Sequence, residues 1–175
     1  DVSNVNAMGN MFKGCNSFNQ PIENWDVSKV TRMNNMFEDA HVFNGNISNW
    51  NTKSLGTMKG MFRRAYVFNQ DISKWNTENV GGDGMNAVFQ EAYEFNQPIN
   101  TTQQTDEDGN TYTAWDISNV TTISHMFQGA LTFKQSLKDW NVSNVTNMTQ
   151  MFKGARDFNQ DIQSWNWNVG ENTIL

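Results

Sequence analysis

Tryptophan recurs along this chain at a nearly constant interval, and that interval limits what the chain can fold into. Six of the seven tryptophans lie at positions 25, 50, 75, 115, 140 and 165, so every gap is 25 residues except one of 40. The surrounding phrase recurs as well, since residues 18–26 read FNQPIENWD, 68–76 read FNQDISKWN and 158–166 read FNQDIQSWN. A period of this length is typical of units that stack, because one unit alone cannot bury its apolar face.

The repeat predicts a single domain, 1–175, of six units and a remainder. The units are 1–25, 26–50, 51–75, 76–115, 116–140 and 141–165, and 166–175 is a partial or terminal unit. Unit 4 is longer because two residues are added within 80–85 and thirteen between Ile99 and Trp115. The register resumes at Trp115, so both insertions are predicted to be loops outside the stack. Because the chain opens within a repeat phrase, we expect it to be an excerpt of a longer protein.

Within a unit, the apolar residues of 30–40 follow the period of a helix. They occupy the first, fourth, eighth and eleventh positions of VTRMNNMFEDA, which is one face of an α-helix. Ser28 could cap the start of that helix. Trp25 and Val27 then alternate with a polar residue, as in a brief strand. The spacing from Ile22 to Val27 also matches the apolar core of a leucine-rich repeat.

These elements predict an α/β solenoid, a right-handed, leucine-rich-repeat-like coil of about six 25-residue repeats. Packed helices lie about 8–10 Å apart and paired strands about 4.8 Å apart. A stack with strands on one side and helices on the other must therefore curve, with the strands inside. The alternative is a straighter β-solenoid in which the segment from Met33 to Phe37 is not helical.

The large aromatic side chains are predicted to point inward and stack on their equivalents in neighbouring units. An exposed tryptophan platform for a glycan or ice is the other interpretation, but it would leave the helices nothing to cover. The asparagine after the phenylalanine is predicted to bond its own and the next coil, except that Lys134 replaces it in unit 5. The predicted core ladder is Trp25, Trp50, Trp75, Trp115, Trp140 and Trp165 with Phe18, Phe43, Phe68, Phe95, Phe133 and Phe158.

The residue after each tryptophan is predicted to face the other way and to line the concave side. Concave solenoid faces often bind partners, so this column and its flanks form the candidate partner-binding surface. A solvated column that bonds only to itself is the open alternative. The column is Asp26, Asn51, Asn76, Asp116 and Asn141, flanked by Asn24, Asn49, Lys74 and Asp139.

The second insertion carries alternating acidic and amide side chains. Asp106, Asp108 and Asn110 are spaced as calcium ligands can be, but the rest of an EF-hand loop is missing. Asp-Gly between threonine-rich arms instead favours a β-hairpin. This hairpin is expected to project from one edge of the coil, where it could reach a partner.

Other features exclude several classes of function. The net charge of −6 argues against nucleic-acid binding, and no apolar run is long enough to span a membrane. Cys15, the single cysteine, replaces a small residue of the repeat and is predicted to be a buried thiol. His41 and His125 lie at different repeat positions, which makes a zinc site improbable. We predict no catalytic residue, no cofactor and no metal.

The phrase MFxxAxxFNQxIxxWDVSxVTxM resembles the 25-residue bacterial surface-protein repeat, which is grouped with BspA-like, leucine-rich-repeat-type proteins. That repeat is common in surface lipoproteins of wall-less bacteria, and the resemblance covers 1–169. It implies an extracellular or cell-surface protein linked to adhesion, and it carries over no catalytic residues.

The expected function is therefore a non-enzymatic surface module that binds a protein or glycan. A structural subunit that assembles end to end into a filament or surface layer is the alternative, and ice or glycan binding by a flat repetitive face is the third.

Overall fold

The computed structural model describes residues 1–163 and 165, and this part of the chain contains two strands and no helix. Strands β1 (Thr102–Thr105) and β2 (Thr111–Ala114) pair antiparallel, with Thr102 opposite Ala114 and Thr105 opposite Thr111. The predicted hairpin in the second insertion is therefore present. Nothing in the described residues forms a helix with the length and apolar character that crossing a bilayer requires.

Consecutive units lie side by side and are joined through their main chains. In unit 2, four alternate amides donate to carbonyls of unit 3 at 2.8–3.0 Å: Met33 to Thr57, Asn35 to Lys59, Phe37 to Met61 and Asp39 to Arg63. Parallel bridges from Ala7 to Arg32 and from Arg32 to Thr57 mark the same pairing. The units are therefore layers in sequence order, and backbone hydrogen bonds join each layer to the next.

The helix predicted over 30–40 is wrong, because this segment is a run of turns. Asn35 and Asp39 have φ values of 54° and 61°, and residues in this left-handed region interrupt a right-handed helix. The amides of Met36, Glu38 and Ala40 bond the carbonyl three residues earlier, whereas the alternate amides bond the next unit. A helix would have used all of these amides internally. The same apolar residues are buried nonetheless.

The brief strand predicted at Trp25 and Val27 is also absent, so neither of the two elements that were expected to curve the stack is present. Curvature was expected because packed helices, about 8–10 Å apart, would need more room than strands on the opposite side. No helices are present in the described residues, so this difference in spacing does not arise. Stacked rings in adjacent units are instead 5.6–6.0 Å apart along the phenylalanine columns. The concave shape of the stack stays a prediction.

Two phenylalanine columns run through all six units without a break. Within a unit the two rings lie 3.8–4.1 Å apart, so each layer adds a stacked pair to the pair below it. Both columns cross unit 4, so its insertions leave the stack intact, as predicted. One column is Phe12, Phe37, Phe62, Phe89, Phe127 and Phe152, and the other is Phe18, Phe43, Phe68, Phe95, Phe133 and Phe158.

The indoles lie beside these columns, and each buried one donates a hydrogen bond to the preceding unit. Trp75 Nε1 donates to the carbonyl of Ile47 at 3.2 Å, and Trp115 Nε1 donates to that of Ile72 at 2.9 Å. An indole can be buried completely when its N–H has a partner. Trp25 is half-buried, whereas five indoles are at most 4 % exposed: Trp50, Trp75, Trp115, Trp140 and Trp165.

The asparagine of the FNQ phrase forms the predicted ladder. Asn19 Oδ1 accepts the backbone N–H of Asn44, and Asn44 Oδ1 accepts that of Asn69, each at 2.9 Å. The glutamine that follows adds a second bond, since Gln97 Nε2 donates to Asn69 Oδ1 at 3.0 Å. The phrase recurs because each copy supplies the acceptor that the next copy needs.

Substituting Lys134 with asparagine should extend this ladder by one step. Lys134 donates its backbone N–H to Asn96 Oδ1, but a lysine side chain has no acceptor to offer Asn159 in the next unit. One restored hydrogen bond should add about 1 kcal/mol to the free energy of unfolding, measured by chemical denaturation. Lys138→Asn, an exposed position of the same unit, is the control, and an equal gain in both variants would refute the ladder explanation.

Candidate functional site

The residues after the tryptophans form a column, which we call the Asx face: Asp26, Asn51, Asn76, Asp116 and Asn141. In each unit the side-chain oxygen accepts the backbone N–H two residues later, for example Asp26 Oδ1 from Ser28 at 3.0 Å and Asn51 Oδ1 from Lys53 at 3.2 Å. Such a bond closes a local turn. Each column residue thus has a structural role within its own unit, and these bonds do not run along the column.

Asp26 carries negative charge on the Asx face at all but acid pH. Hydrogen bonds from Ser28, first from its hydroxyl and then from its amide, lower the pKa of the Asp26 carboxyl below 3.8, and the positive charges of Lys29 and Lys53 act in the same direction. Asp26, Asn51 and Asn141 are exposed, whereas Asn76 and Asp116 are half-buried. The face therefore offers both carboxylate and amide groups to solvent.

All four predicted flanking residues, Asn24, Asn49, Lys74 and Asp139, are exposed. Asn49 and Lys74 come together with Ser48 and Asp71 around a recess of about 120 Å³. Asp139 Oδ2 instead accepts the side-chain N–H of Asn100 at 2.7 Å. The structure thus gathers two of the four flanking residues into one polar recess between units 2 and 3.

The hairpin lies against the Asx face, which the sequence did not predict. Tyr112 Oη donates to the carbonyl of Lys74 at 2.7 Å, and the N–H of Thr113 donates to Glu78 Oε1 at 2.8 Å. Ala114 forms an antiparallel bridge with Asn76. These contacts fasten β2 to the end of unit 3 and the beginning of unit 4, so the hairpin borders the Asx face and does not simply project from one edge.

The hairpin loop uses Asp106 as an internal acceptor. Asp106 Oδ1 accepts the backbone N–H groups of Asp108 and Asn110 at 3.1 and 2.8 Å, and Oδ2 accepts the Asn110 amide at 3.2 Å. Hydrogen bonds from Asn110 are the main cause that lowers the pKa of Asp106. N–H donors thus occupy the lone pairs that calcium would need. Among the described residues, no three His, Cys, Asp or Glu side chains lie together so that they could hold a metal ion.

The prediction that Cys15 is a buried thiol is wrong, because this cysteine is exposed. Its equivalents Ala40 and Ala65 are fully buried, each between two layers of the described chain. His41 stacks on Tyr66 with ring centroids 4.4 Å apart, and Tyr66 stacks on Tyr93 at 4.7 Å. His41 thus belongs to a short aromatic column that sequence reasoning missed.

A charge network on the surface of the turn runs was also missed. We call this surface the turn face, and define it by Lys13, Glu38, Asp39, Arg63 and Arg64. The Glu38 side chain is 1 % exposed and pairs with Lys13 at 3.0 Å, with Arg64 at 3.2 Å and with Arg63. Burial alone would raise the pKa of Glu38, but the hydrogen bonds from Arg63 and Lys13 outweigh it and hold the pKa below 4.5. The sequence carries a signal for this network, because Lys13, Glu38 and Arg63 follow one another at intervals of 25 residues and alternate in charge.

Asp39 belongs to the same network. Arg64 Nη2 donates to Asp39 Oδ2 at 2.9 Å, and this bond is the main cause that lowers the pKa of Asp39. The two acidic residues come from unit 2, whereas the cations come from units 1 and 3. The network therefore ties three layers together at the turn face.

Comparison with known protein families identifies a family that the chain matches. A family model described as "Mycoplasma protein of unknown function, DUF285" matches residues 1–102 and again 100–173. The second match begins as the first ends, so the family pattern occurs twice along the chain. No curated protein and no solved structure matches the chain.

Proposed function

This chain belongs to the DUF285 family, whose members are described as mycoplasma proteins of unknown function, and from that premise we propose that it is a non-enzymatic, cell-surface binding module. In this proposal the repeats are of the BspA-like kind and form a helix-free solenoid, and the Asx face adheres to a protein partner. The resemblance of the repeat phrase supports the surface location. The hydrogen bonds between consecutive layers support the solenoid.

The exposed edge of β1 beside the Asx face is the observation that carries the choice of a protein partner. β2 is bonded to Glu78 and bridged to Asn76, whereas Thr102, Gln103 and Thr105 of β1 are exposed. An open strand edge can pair with an extended segment of another polypeptide. The adjacent column would then contact the side chains of that segment with its amides and carboxylates.

End-to-end assembly is a second candidate, and the backbone hydrogen bonds between layers favour it. In the turn runs of units 1, 2, 3 and 5, alternate N–H groups donate to carbonyls of the following unit. Amides beside these runs bond in the other direction, for example Gly56 to Thr31 and Thr146 to Thr121. Each layer thus offers both N–H and C=O groups to the next, and a layer of a second copy could pair with them in the same way. Rods in negative-stain images of the purified chain would favour this candidate over a monomeric adhesin.

Removing charge from the Asx face should weaken adhesion without unfolding the protein. The double variant Asp26→Asn and Asp116→Asn keeps the oxygen that closes each turn but removes two carboxylates. Beads coated with the protein are applied to monolayers of cultured host cells, and bound beads are counted. Because a hydrogen bond to a charged group contributes about 1.5–3 kcal/mol, we expect at least a tenfold loss of apparent affinity.

A matched pair on another surface serves as the control for this experiment. Glu94→Gln with Asp157→Asn also removes two exposed carboxylates, and should leave adhesion unchanged. Equal adhesion of all three proteins would reject the Asx face as the binding surface. An equal loss in both variants would indicate that only net charge matters.

A further inference from the structure

The outer edge of β1 carries backbone groups that the hairpin does not use for its own pairing. Thr113 of β2 donates its N–H to Glu78 Oε1, so this amide does not bond β1. In an antiparallel pair of strands, hydrogen-bonded and non-bonded residue pairs alternate, so Thr113 and its partner Gln103 form a non-bonded pair. The N–H and C=O groups of Gln103 therefore point away from β2, and those of Thr105, two residues later, do the same.

A second hydrogen bond fits this alternation. Asp106 donates its N–H to the carbonyl of Asn110 at 2.9 Å, and this is the next pair after Thr105 and Thr111. Neither Gln103 nor Thr105 donates its amide to a residue outside the hairpin in the described chain, and both residues are exposed. Four backbone groups of β1 are therefore free to pair with an added strand.

The edge of β1 is protected only by its short length of four residues. Open strands in monomeric proteins usually carry a charged residue, a proline or a bulge that prevents pairing with another chain. The four residues of β1 are threonine and glutamine, and their pairing with β2 proceeds without a bulge. This edge is therefore suited to accept an extended polypeptide.

Carboxylates lie at both ends of this edge. Glu107 and Asp108 follow β1 in the hairpin loop and are exposed. At the other end, Asn100, two residues before β1, donates its side-chain N–H to Asp139 Oδ2 at 2.7 Å. No lysine, arginine or histidine of the described chain forms an ion pair with any of these three carboxylates. An added strand therefore meets negative charge at each end.

These charges disfavour a second copy of the chain as the added strand. If two β1 strands paired antiparallel about a two-fold axis, the hairpin loop of each copy would lie beside Asn100 and Asp139 of the other. If they paired parallel, the two acidic loops would lie side by side. Like charges on paired strands are destabilising, so both arrangements are unfavourable and a partner of opposite charge is favoured.

We propose that the β1 edge binds an extended polypeptide segment that has a neutral core and a lysine or arginine at each end. This inference rests on the proposed function, because it specifies the segment that the β1 edge would receive. The core would pair with Gln103 and Thr105, and the two cations would lie near Asp139 and the hairpin loop. An extended chain takes roughly six residues, or about 20 Å, to pass from Asn100 to Asp106, so the two cations should be about six residues apart.

Three fluorescent heptapeptides with capped termini test the proposal by fluorescence anisotropy. All share a core of five alternating threonine and valine residues, and their two end residues are both lysine, both serine or both glutamate. At low ionic strength the lysine peptide should bind at least tenfold more tightly than the glutamate peptide, because two attractive charge pairs replace two repulsive ones. About 0.5 M NaCl should reduce this difference. Equal binding of the three peptides, or no binding of the lysine peptide, would overturn the proposal.

Proline at position 103 tests the backbone pairing directly. Gln103→Pro removes an N–H that points away from β2, so the hairpin can keep its own ladder. Gln103→Ala loses the same side chain, including its bond to Thr113 Oγ1, but keeps the N–H. We expect Gln103→Pro to bind the lysine peptide at least tenfold more weakly than Gln103→Ala does. If Gln103→Pro does not fold, Thr105→Pro and Thr105→Ala provide the same comparison at the other outward N–H.

Two outcomes of this comparison contradict pairing of a peptide with the β1 edge. One is equal affinity of the folded proline and alanine variants, which would place the peptide elsewhere. The other is a wild-type protein that sediments as a dimer and a Gln103→Pro variant that sediments as a monomer, since a second copy would then occupy the edge.

Neutral substitutions at the two ends test the charge preference. The triple variant Glu107→Gln, Asp108→Asn and Asp139→Asn should bind the lysine and serine peptides equally. Glu94→Gln with Asp157→Asn, which removes exposed carboxylates away from the hairpin, should keep the preference for lysine. Loss of the preference in both proteins would show that net charge, and not the β1 edge, selects the peptide.

The peptide experiment can fail separately from the cell-adhesion experiment. Adhesion is tested through Asp26 and Asp116, and none of the peptide variants changes either residue. If adhesion depends on these two carboxylates but no peptide binds the β1 edge, this inference is wrong and the proposed function stands.

Discussion

Replacing Trp75 with alanine is expected to lower the free energy of unfolding by about 4–6 kcal/mol, the largest single effect that we predict. Removing a fully buried tryptophan costs roughly 3–5 kcal/mol, and the buried Ile47 carbonyl that accepted its N–H adds about 1 kcal/mol when left unpaired. Trp75 also contacts the rings of Trp50 and Phe62, both at 6.2 Å between centroids. Few domains have more than about 5–15 kcal/mol of stability in total.

Chemical denaturation followed by tryptophan fluorescence measures this effect, and Trp25 supplies the internal control. Trp25 stacks on Trp50 at 6.5 Å but is only half-buried. Trp25→Ala should therefore cost less than half as much as Trp75→Ala. Comparable losses at the two positions would mean that burial between layers is not what the indoles contribute.

Substituting Glu38 with glutamine is expected to cost about 2–3 kcal/mol. Breaking a buried ion pair costs roughly 3–5 kcal/mol, and we take a smaller value because the side chains of Lys13, Arg63 and Arg64 are 45 %, 33 % and 29 % exposed, so that water can solvate them. Glu23→Gln, at an exposed carboxylate, is the control and should change stability by less than about 0.5 kcal/mol.

The same network makes stability fall at acid pH. The pKa values of Glu38 and Asp39 in the folded protein lie below their ordinary values of 4.5 and 3.8. Their contribution is therefore complete above those ordinary values, and it is lost as the pH falls through the lower, folded pKa values. The thermal midpoint should be flat between about pH 7 and pH 5 and should drop below about pH 4.5.

Glu38→Gln separates this network from the other carboxyls that titrate in the same range. Asp71 and Asp83 also have lowered pKa values, because of hydrogen bonds from Ser73 and Lys59. They will lower the stability of both proteins equally. The gap between wild type and variant should therefore narrow as the pH falls from 5 to about 3. A constant gap over this range would show that Glu38 acts through packing and not through charge.

Much of the fold could be predicted from the sequence because it depends on side-chain type at a fixed period. Burial of the interior tryptophans and phenylalanines follows from six copies of one phrase, in which every apolar position meets its own equivalent. The asparagine ladder and the hairpin at 102–114 were predictable for similar reasons, since each uses chemistry local to a short segment. The prediction of a column of Asp and Asn after the tryptophans rested on the same periodicity.

What the tertiary structure alone decided is where the backbone amides bond. The apolar spacing of 30–40 fits a helix and a run of turns equally well, because both return to one side every three or four residues. Left-handed φ values at Asn35 and Asp39, together with a neighbouring layer that offers carbonyls at the right distance, select the turns. The Glu38 network follows from that choice, whereas the position of the hairpin against the Asx face depends on its separate contacts with Lys74 and Glu78. Each of them depends on contacts between residues far apart in the sequence, and the spacing of residues within one unit does not predict those contacts.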